Sequence, residues 1–305
     1  MTQVDPRPPA VRPAVDWRAL AAVTVTVLAW ASAFVAIRGI GTSFGAGQLA
    51  LGRLLIGTTV LGLILLAKKM WVRPNRTQWI QIVSIGVFWF AIYNVSLNAA
   101  EQRVDAGTTS MLIQIGPILV AIFAGLLLGE GFPKWLVIGA AIAFSGAVMV
   151  GLVTALTTTD TTKTDADFLG IALCLVSAVT YAIGVLSQKP VLRGIPGLQV
   201  TWMACAIGAL CTLPFAPALV EDVGTASTQA TGGLIYLGLV PTALAFSTWA
   251  YALSRMNAGR LGITTYVIPP LTILLGWLLL GEIPHVLAVL GGAICLVGVG
   301  LSRKR

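Results

Sequence analysis

The 305-residue chain is short of charge: 11 acidic and 19 basic residues make up only 10% of it, where an average soluble domain carries roughly 25%. That is too few ions to coat a water-facing surface. With 57% hydrophobic residues and a mean hydropathy of +0.92, a soluble globular enzyme and a disordered regulator are both excluded. Histidine is nearly missing: His285, beside Pro284, is the only one. The four cysteines (Cys174, Cys205, Cys211, Cys295) all lie in apolar runs without C-x-x-C or metal-type spacing, and read as small buried hydrophobes. No metal and no cofactor is expected. The net charge of +8 would suit a nucleic acid only if clustered on one face. Here the basic residues are scattered between apolar runs, so the expected partner is the lipid bilayer.

What is present is apolar sequence in lengths that cross a membrane, for which roughly 20 residues are needed. Ten spans are read at about 19–37, 46–67, 78–98, 105–128, 134–153, 167–187, 197–215, 229–251, 259–280 and 284–301. Residues 1–18, with Pro6, Pro8, Pro9 and Pro13, read as a solvated tail. Ala31-Ser32-Ala33 resembles a signal-peptide cleavage site. The apolar run nevertheless continues through Val35 and Ile37, long enough to span. The first five spans form one unit (19–153), the Thr-rich stretch 154–166 a flexible linker, and the last five a second unit (167–301), followed by a basic end (302–305).

An even number of spans puts both termini on one side. Fifteen Lys and Arg residues then fall on that side and three (Arg38, Arg103, Lys163) on the other, with Arg53 inside the second span. The positive-inside bias makes the terminal side cytoplasmic.

A shift of 152 residues aligns the chain with itself. Arg103 meets Arg255, Ala106-Gly107 meets Ala258-Gly259, Pro117 meets Pro269, and Leu126–Glu130 meets Leu278–Glu282. Five spans per copy is an odd number, so the second copy enters from the opposite face. The expected fold is all-α and integral to the membrane: two inverted five-helix repeats, a geometry suited to alternating access around a midplane site. Pro117 and Pro269 should break spans four and nine at matched depth and free the carbonyls of Ile113 and Thr265. Pro241 adds a break in span eight, where the first repeat has Trp89. Either static kinks or hinges satisfy these prolines singly; the matched pair favours hinges.

The paired Ala-Gly…Pro…Leu-Gly-Glu blocks, Trp30-Ala31-Ser32-Ala33-Phe34 in span one and Arg53 in span two resemble the drug/metabolite transporter superfamily in its EamA-type ten-helix form. The likeness covers the chain beyond residue 18. Segments such as Phe88–Asn94 are similar to the bacterial YddG-like branch that exports aromatic and other amino acids. The resemblance implies an inner-membrane exporter with a central cavity between spans one, three, four, six, eight and nine.

No Asp or Glu falls in the apolar centre of a span, and Glu101 is read as a loop residue. Intramembrane carboxylates are the usual proton or sodium relays, so facilitated diffusion or exchange is expected. The deep polar groups are neutral. Candidate substrate contacts are Trp30, Tyr93, Asn94, Asn98, Gln114, Tyr181, Ser247, Trp249, Thr265 and Tyr266. Together they suit a zwitterionic amino acid, with its ammonium on the Ile113 and Thr265 carbonyls and its carboxylate on Asn94, Gln114 or Tyr266. Any one Ser or Thr more often bonds its own backbone. Arg53 is read as structural, snorkelling outward or paired with Glu282. Glu130 and Glu282, each between a helix-ending glycine and the next helix, read as helix caps. An exporter of organic cations or drugs and a pore or scramblase remain as alternatives. An intramembrane enzyme is disfavoured because no acid–base pair or Ser–His arrangement lies inside the spans. The substrate is a small molecule and the chain is expected to be a monomer.

Overall fold

The computed structural model describes residues 16–103, 109, 112–157, 168–280, 286–302 and 304, and these contain helices and loops without strands. Seven helices are long and apolar enough to cross a membrane: Trp17–Ile40, Ala46–Lys68, Arg76–Glu101, Ala172–Val191, Gly197–Thr225, Thr228–Arg255 and Ala258–Leu279. Shorter apolar helices at Ile115–Leu127, Lys134–Gly146 and Val289–Ser302 supply spans four, five and ten. The chain is a ten-helix membrane protein built from two five-helix repeats.

Local chemistry sets the helix ends. Asn75 and Gln78 form a reciprocal capping box at the start of span three, and Ser227 caps span eight through the Ala230 N–H. Span four ends where Gly129 (φ 68°) and Gly131 (φ 71°) turn into the left-handed region, which glycine enters without a Cβ clash. Two boundaries and the setting of one cysteine differ from the sequence reading. The fifth helix runs to Thr157, into the expected linker, and no Gly or Pro lies between Leu152 and Thr157 to break it. Glu101 closes the helix Tyr93–Glu101 instead of lying in a loop. Cys211 is exposed on span seven, while Cys174 and Cys205 are buried as expected. The side chain of Cys295 lies outside the described residues.

The repeats interlock through their second and third spans. A Cβ on Gly57 of span two would lie 2.8 Å from Thr242 Cγ2, and one on Gly208 of span seven 2.6 Å from Phe90 Cβ. Spans five and ten form a separate close pair, where a Cβ on Gly298 would come within 2.3 Å of the Ala143 backbone nitrogen. Such small-residue crossings let helices meet where lipid supplies no hydrophobic drive.

The third span of each repeat carries a π-helical segment, Ile85–Ile92 in the first and Gly238–Leu244 in the second. The offset of 152 places Trp89 and Pro241 within these two segments. In the second, Pro241 lacks an N–H, and Thr242 Oγ1 donates to the Leu237 carbonyl at 2.8 Å. No proline is present in the first, where Asn94 Nδ2 donates to the Trp89 and Phe90 carbonyls at 3.3 and 2.8 Å. A π turn, which widens the helix by one residue, is a frequent mark of a functional site.

Candidate functional site: a central cavity between the repeats

Spans four and nine are both interrupted beside the centre of the bundle. Span four turns at Gln114 before its helix resumes at Ile115, with Pro117 in the first turn. Span nine passes from the helix Ala258–Thr264 through a 3-10 turn, Thr265–Val267, to the helix Ile268–Leu280. The freed Thr265 carbonyl does not stay open as the sequence suggests: the 3-10 geometry lets it accept the Ile268 N–H. The Tyr266 hydroxyl donates to the Gln114 carbonyl at 3.0 Å, so each break is tied to the other. Gly116 makes room for span six, since a Cβ there would lie 2.8 Å from Tyr181 Cδ1.

Around these breaks lies a cavity of about 60 Å³ lined by Trp30, Ala33, Phe34, Arg53, Trp89, Tyr93, Asn94, Leu97, Ile113, Gln114, Pro117, Tyr181, Phe246, Thr265 and Ile268. A single water needs at least roughly 10–15 Å³. The space therefore holds a few waters, and an amino acid enters only if the walls part. Its aromatic wall is continuous: Trp89 meets Tyr181 and Phe246 edge-on at centroid distances of 5.5 and 5.1 Å, and Trp30 sits 5.4 Å from Phe246. The Trp30 indole N–H donates to the Pro241 carbonyl at 3.3 Å, which anchors that wall to the second π segment.

Against this wall stand polar atoms without partners. Asn94 Oδ1, Gln114 Oε1 and the Tyr181 hydroxyl are enclosed and make no hydrogen bond, although buried polar groups are normally satisfied. Asn94 is oriented by the bonds from its nitrogen to the π-segment carbonyls, so its oxygen is the free acceptor. Arg53 is 4% exposed and donates Nε–H to Thr242 Oγ1 at 2.9 Å. Glu282, the partner expected from the sequence, lies outside the described residues. No carboxylate lines the cavity.

The end of the bundle that carries the N-terminus is fastened by three polar contacts. Glu130 accepts from the Ala258 and Gly259 N–H groups at 2.8 and 3.1 Å. It therefore caps span nine of the opposite repeat, not the helix that follows it in sequence. Lys189 Nζ donates to the Leu253 carbonyl at 2.6 Å and also to that of Met256. Asp16 pairs with Arg255 at 3.3 Å. At the far end, Asn98 Nδ2 and Gln102 Nε2 donate to the Ala46 and Phe44 carbonyls.

The chain matches the EamA-like transporter family over residues 17–152 and again over 168–303. It belongs to that family. A relative from Streptantibioticus cattleyicolor, named a probable terminal-alkyne amino-acid exporter, is 33% identical over 289 residues, 94% of each chain. The uncharacterized transporter YdfC of Bacillus subtilis is also 33% identical, over 88% of this chain and 86% of its own. A solved crystal structure superposes with a TM-score of 0.77 at 19% identity, covering 95% of this chain and 99% of the other; it shares the fold.

Six of the ten substrate contacts read from the sequence line the cavity of this EamA chain: Trp30, Tyr93, Asn94, Gln114, Tyr181 and Thr265. Four do not. Tyr266 is fully enclosed with its hydroxyl committed to Gln114, and Asn98 ties span three to Ala46. Ser247 Oγ bonds its own helix at the Ala243 carbonyl. Trp249 packs behind Trp30 at 5.0 Å. Sequence reasoning missed Phe34 on span one, Trp89 inside the first π segment and Phe246 two residues past the second. The Trp89–Pro241 repeat match was the available signal.

Proposed function

We propose that this chain exports amino acids, aromatic and other neutral or amphipathic ones, across the bacterial inner membrane by alternating access of its two repeats. The observation that carries this reading is the set of unpartnered polar atoms (Asn94 Oδ1, Gln114 Oε1, Tyr181 OH) facing an aromatic wall in one central cavity. Acceptors suit an ammonium group, and ring faces suit an apolar side chain and add cation–π attraction. The printed name of the Streptantibioticus relative points the same way. Organic cations are less well served, because no carboxylate lines the cavity and Arg53 borders it.

The small cavity volume supports a carrier that opens by moving its repeats, with Pro117 and Pro269 beside the hinge points and Pro241 in the neighbouring π turn. Transport is facilitated diffusion or exchange, by a monomer without catalytic activity, with both termini cytoplasmic as the fifteen-to-three division of basic residues indicates.

The test is counterflow of radiolabelled L-leucine or L-phenylalanine into liposomes preloaded with the same amino acid. Saturable accumulation that falls in Gln114→Leu and Asn94→Leu, with expression unchanged, is expected. Undiminished flux in both variants discards the site, and uphill flux driven by a proton gradient alone discards facilitated diffusion.

A further inference from the structure

The cavity contains one buried charge. Arg53 sits about two turns inside span two, 4% exposed, yet no carboxylate among the described residues forms an ion pair with it. Its only hydrogen bond there uses Nε, which Thr242 Oγ1 holds at 2.9 Å. Thr242 is itself fixed by its bond to the Leu237 carbonyl in the π segment. A guanidinium has five N–H donors, so four remain, on the two terminal nitrogens of a residue that borders the cavity. Tyr93, Glu101 and Cys205 act on it electrostatically. Glu101 lies at the end of the same helix as Asn94, and its Oε1 is enclosed without a partner. A buried charge left unpaired inside a span is costly, and an oriented guanidinium fork is the geometry that grips a carboxylate by two parallel bonds.

We propose that Arg53 is the receptor for a single carboxylate on the transported molecule. The proposal rests on the amino-acid reading and names the group that the cavity selects. The helices of spans two and seven start at Ala46 and Gly197, which puts the buried Ala204 at the equivalent place in the second repeat, and span seven carries no Lys or Arg. The receptor is thus not duplicated, so the cavity takes one carboxylate and not two. Asn94 Oδ1 and Gln114 Oε1, acceptors on the walls of the same cavity, receive the ammonium, and the two ends of a zwitterion are read by groups of opposite kind.

The test is thermal stabilisation of the purified, detergent-solubilised protein by three matched probes. L-leucine carries both groups, 4-methylpentanoate lacks the ammonium, and isoamylamine lacks the carboxylate. In the wild type, leucine and 4-methylpentanoate stabilise and isoamylamine does not. Arg53→Gln weakens both carboxylates by roughly thirty-fold or more, and Arg53→Lys, which keeps the charge without the fork, falls between. Should Arg53→Gln fail to fold, the wild-type series still decides. Stabilisation by isoamylamine equal to that by 4-methylpentanoate, or no stabilisation by either carboxylate, overturns the proposal. Binding of 4-methylpentanoate but not leucine, lost in Arg53→Gln, upholds Arg53 and removes the amino-acid reading instead.

Discussion

Tyr266 donates its hydroxyl to the backbone carbonyl of Gln114 at 3.0 Å, and the two residues, 152 apart, are counterparts in the internal repeat. The bond joins the two broken helices where each loses its regular backbone pairing. It uses a side chain in one repeat and a backbone atom in the other, so the repeats meet asymmetrically at this point.

Tyr266→Phe deletes this bond while keeping the ring. Interhelical hydrogen bonds in membrane proteins contribute about 0.6 kcal/mol on average and up to about 1.7. The enclosed Gln114 carbonyl puts this one toward the upper end, so a loss of about 1 kcal/mol is expected, read as a lowered melting temperature. Because Tyr266 does not line the cavity, the concentration of leucine giving half-maximal counterflow stays unchanged while the maximal rate shifts. A change in half-saturation alone contradicts this assignment.

Glu130→Gln leaves one good acceptor where the carboxylate now serves both Ala258 and Gly259 N–H groups, and Glu130→Ala leaves none. Losses of roughly 1 and 2 kcal/mol respectively are expected for a charge-assisted cap at a helix start. They would appear in thermal melts, together with an altered counterflow rate, because the contact joins the two repeats. Equal melting temperatures for wild type and Glu130→Ala would remove Glu130 from that role.

Pro241→Ala tests what maintains the π segments. The first repeat forms one at Trp89 without proline, so the turn in span eight should persist. Stability changes by less than roughly 1 kcal/mol and counterflow is retained, since Trp30 bonds the carbonyl of residue 241 and not its ring. Loss of transport in this variant would make the proline itself indispensable.

Asp16 provides a pH dependence. The Ala19 N–H donated to its carboxylate, and Arg255 beside it, hold the Asp16 carboxyl below its ordinary value. The contribution is therefore full above the ordinary Asp range and is lost as pH falls through the lowered native value. Asp16→Asn keeps the acceptor for the helix start and removes the charge. The mutant should lose less stability than the wild type between about pH 5 and pH 2, measured by melting temperature. The pair is half exposed, so the difference is small and vanishes at high salt.

Much of the architecture was legible because bilayer thickness imposes a length on each apolar run, and because Ala-Gly, Pro and Gly-Glu recur at one offset. The broken helices at Pro117 and Pro269 followed from proline's missing N–H. The π turn at Trp89 did not, since no residue there lacks a donor; it depends on Asn94 reaching back to the Trp89 and Phe90 carbonyls. By sequence, Tyr266 and Gln114 both face a ligand. Spacing along a helix, however, gives no sign that one would use its hydroxyl on the other's backbone. The position of Glu130 marks it as a cap, but the helix it caps lies in the other repeat, a contact that only tertiary structure reveals.

The absence of carboxylates from the cavity wall has a consequence for energetics across the membrane. A zwitterion has no net charge, so the transmembrane voltage, which does about 2.3 kcal/mol of work per elementary charge for each 100 mV, does none on such a cargo. Arg53 is fixed to the protein, so any movement it made in the loaded carrier would be reversed when the empty carrier returned. Over a full cycle the cell's resting potential would neither help nor hinder release, and the direction of flow would follow the two concentrations alone.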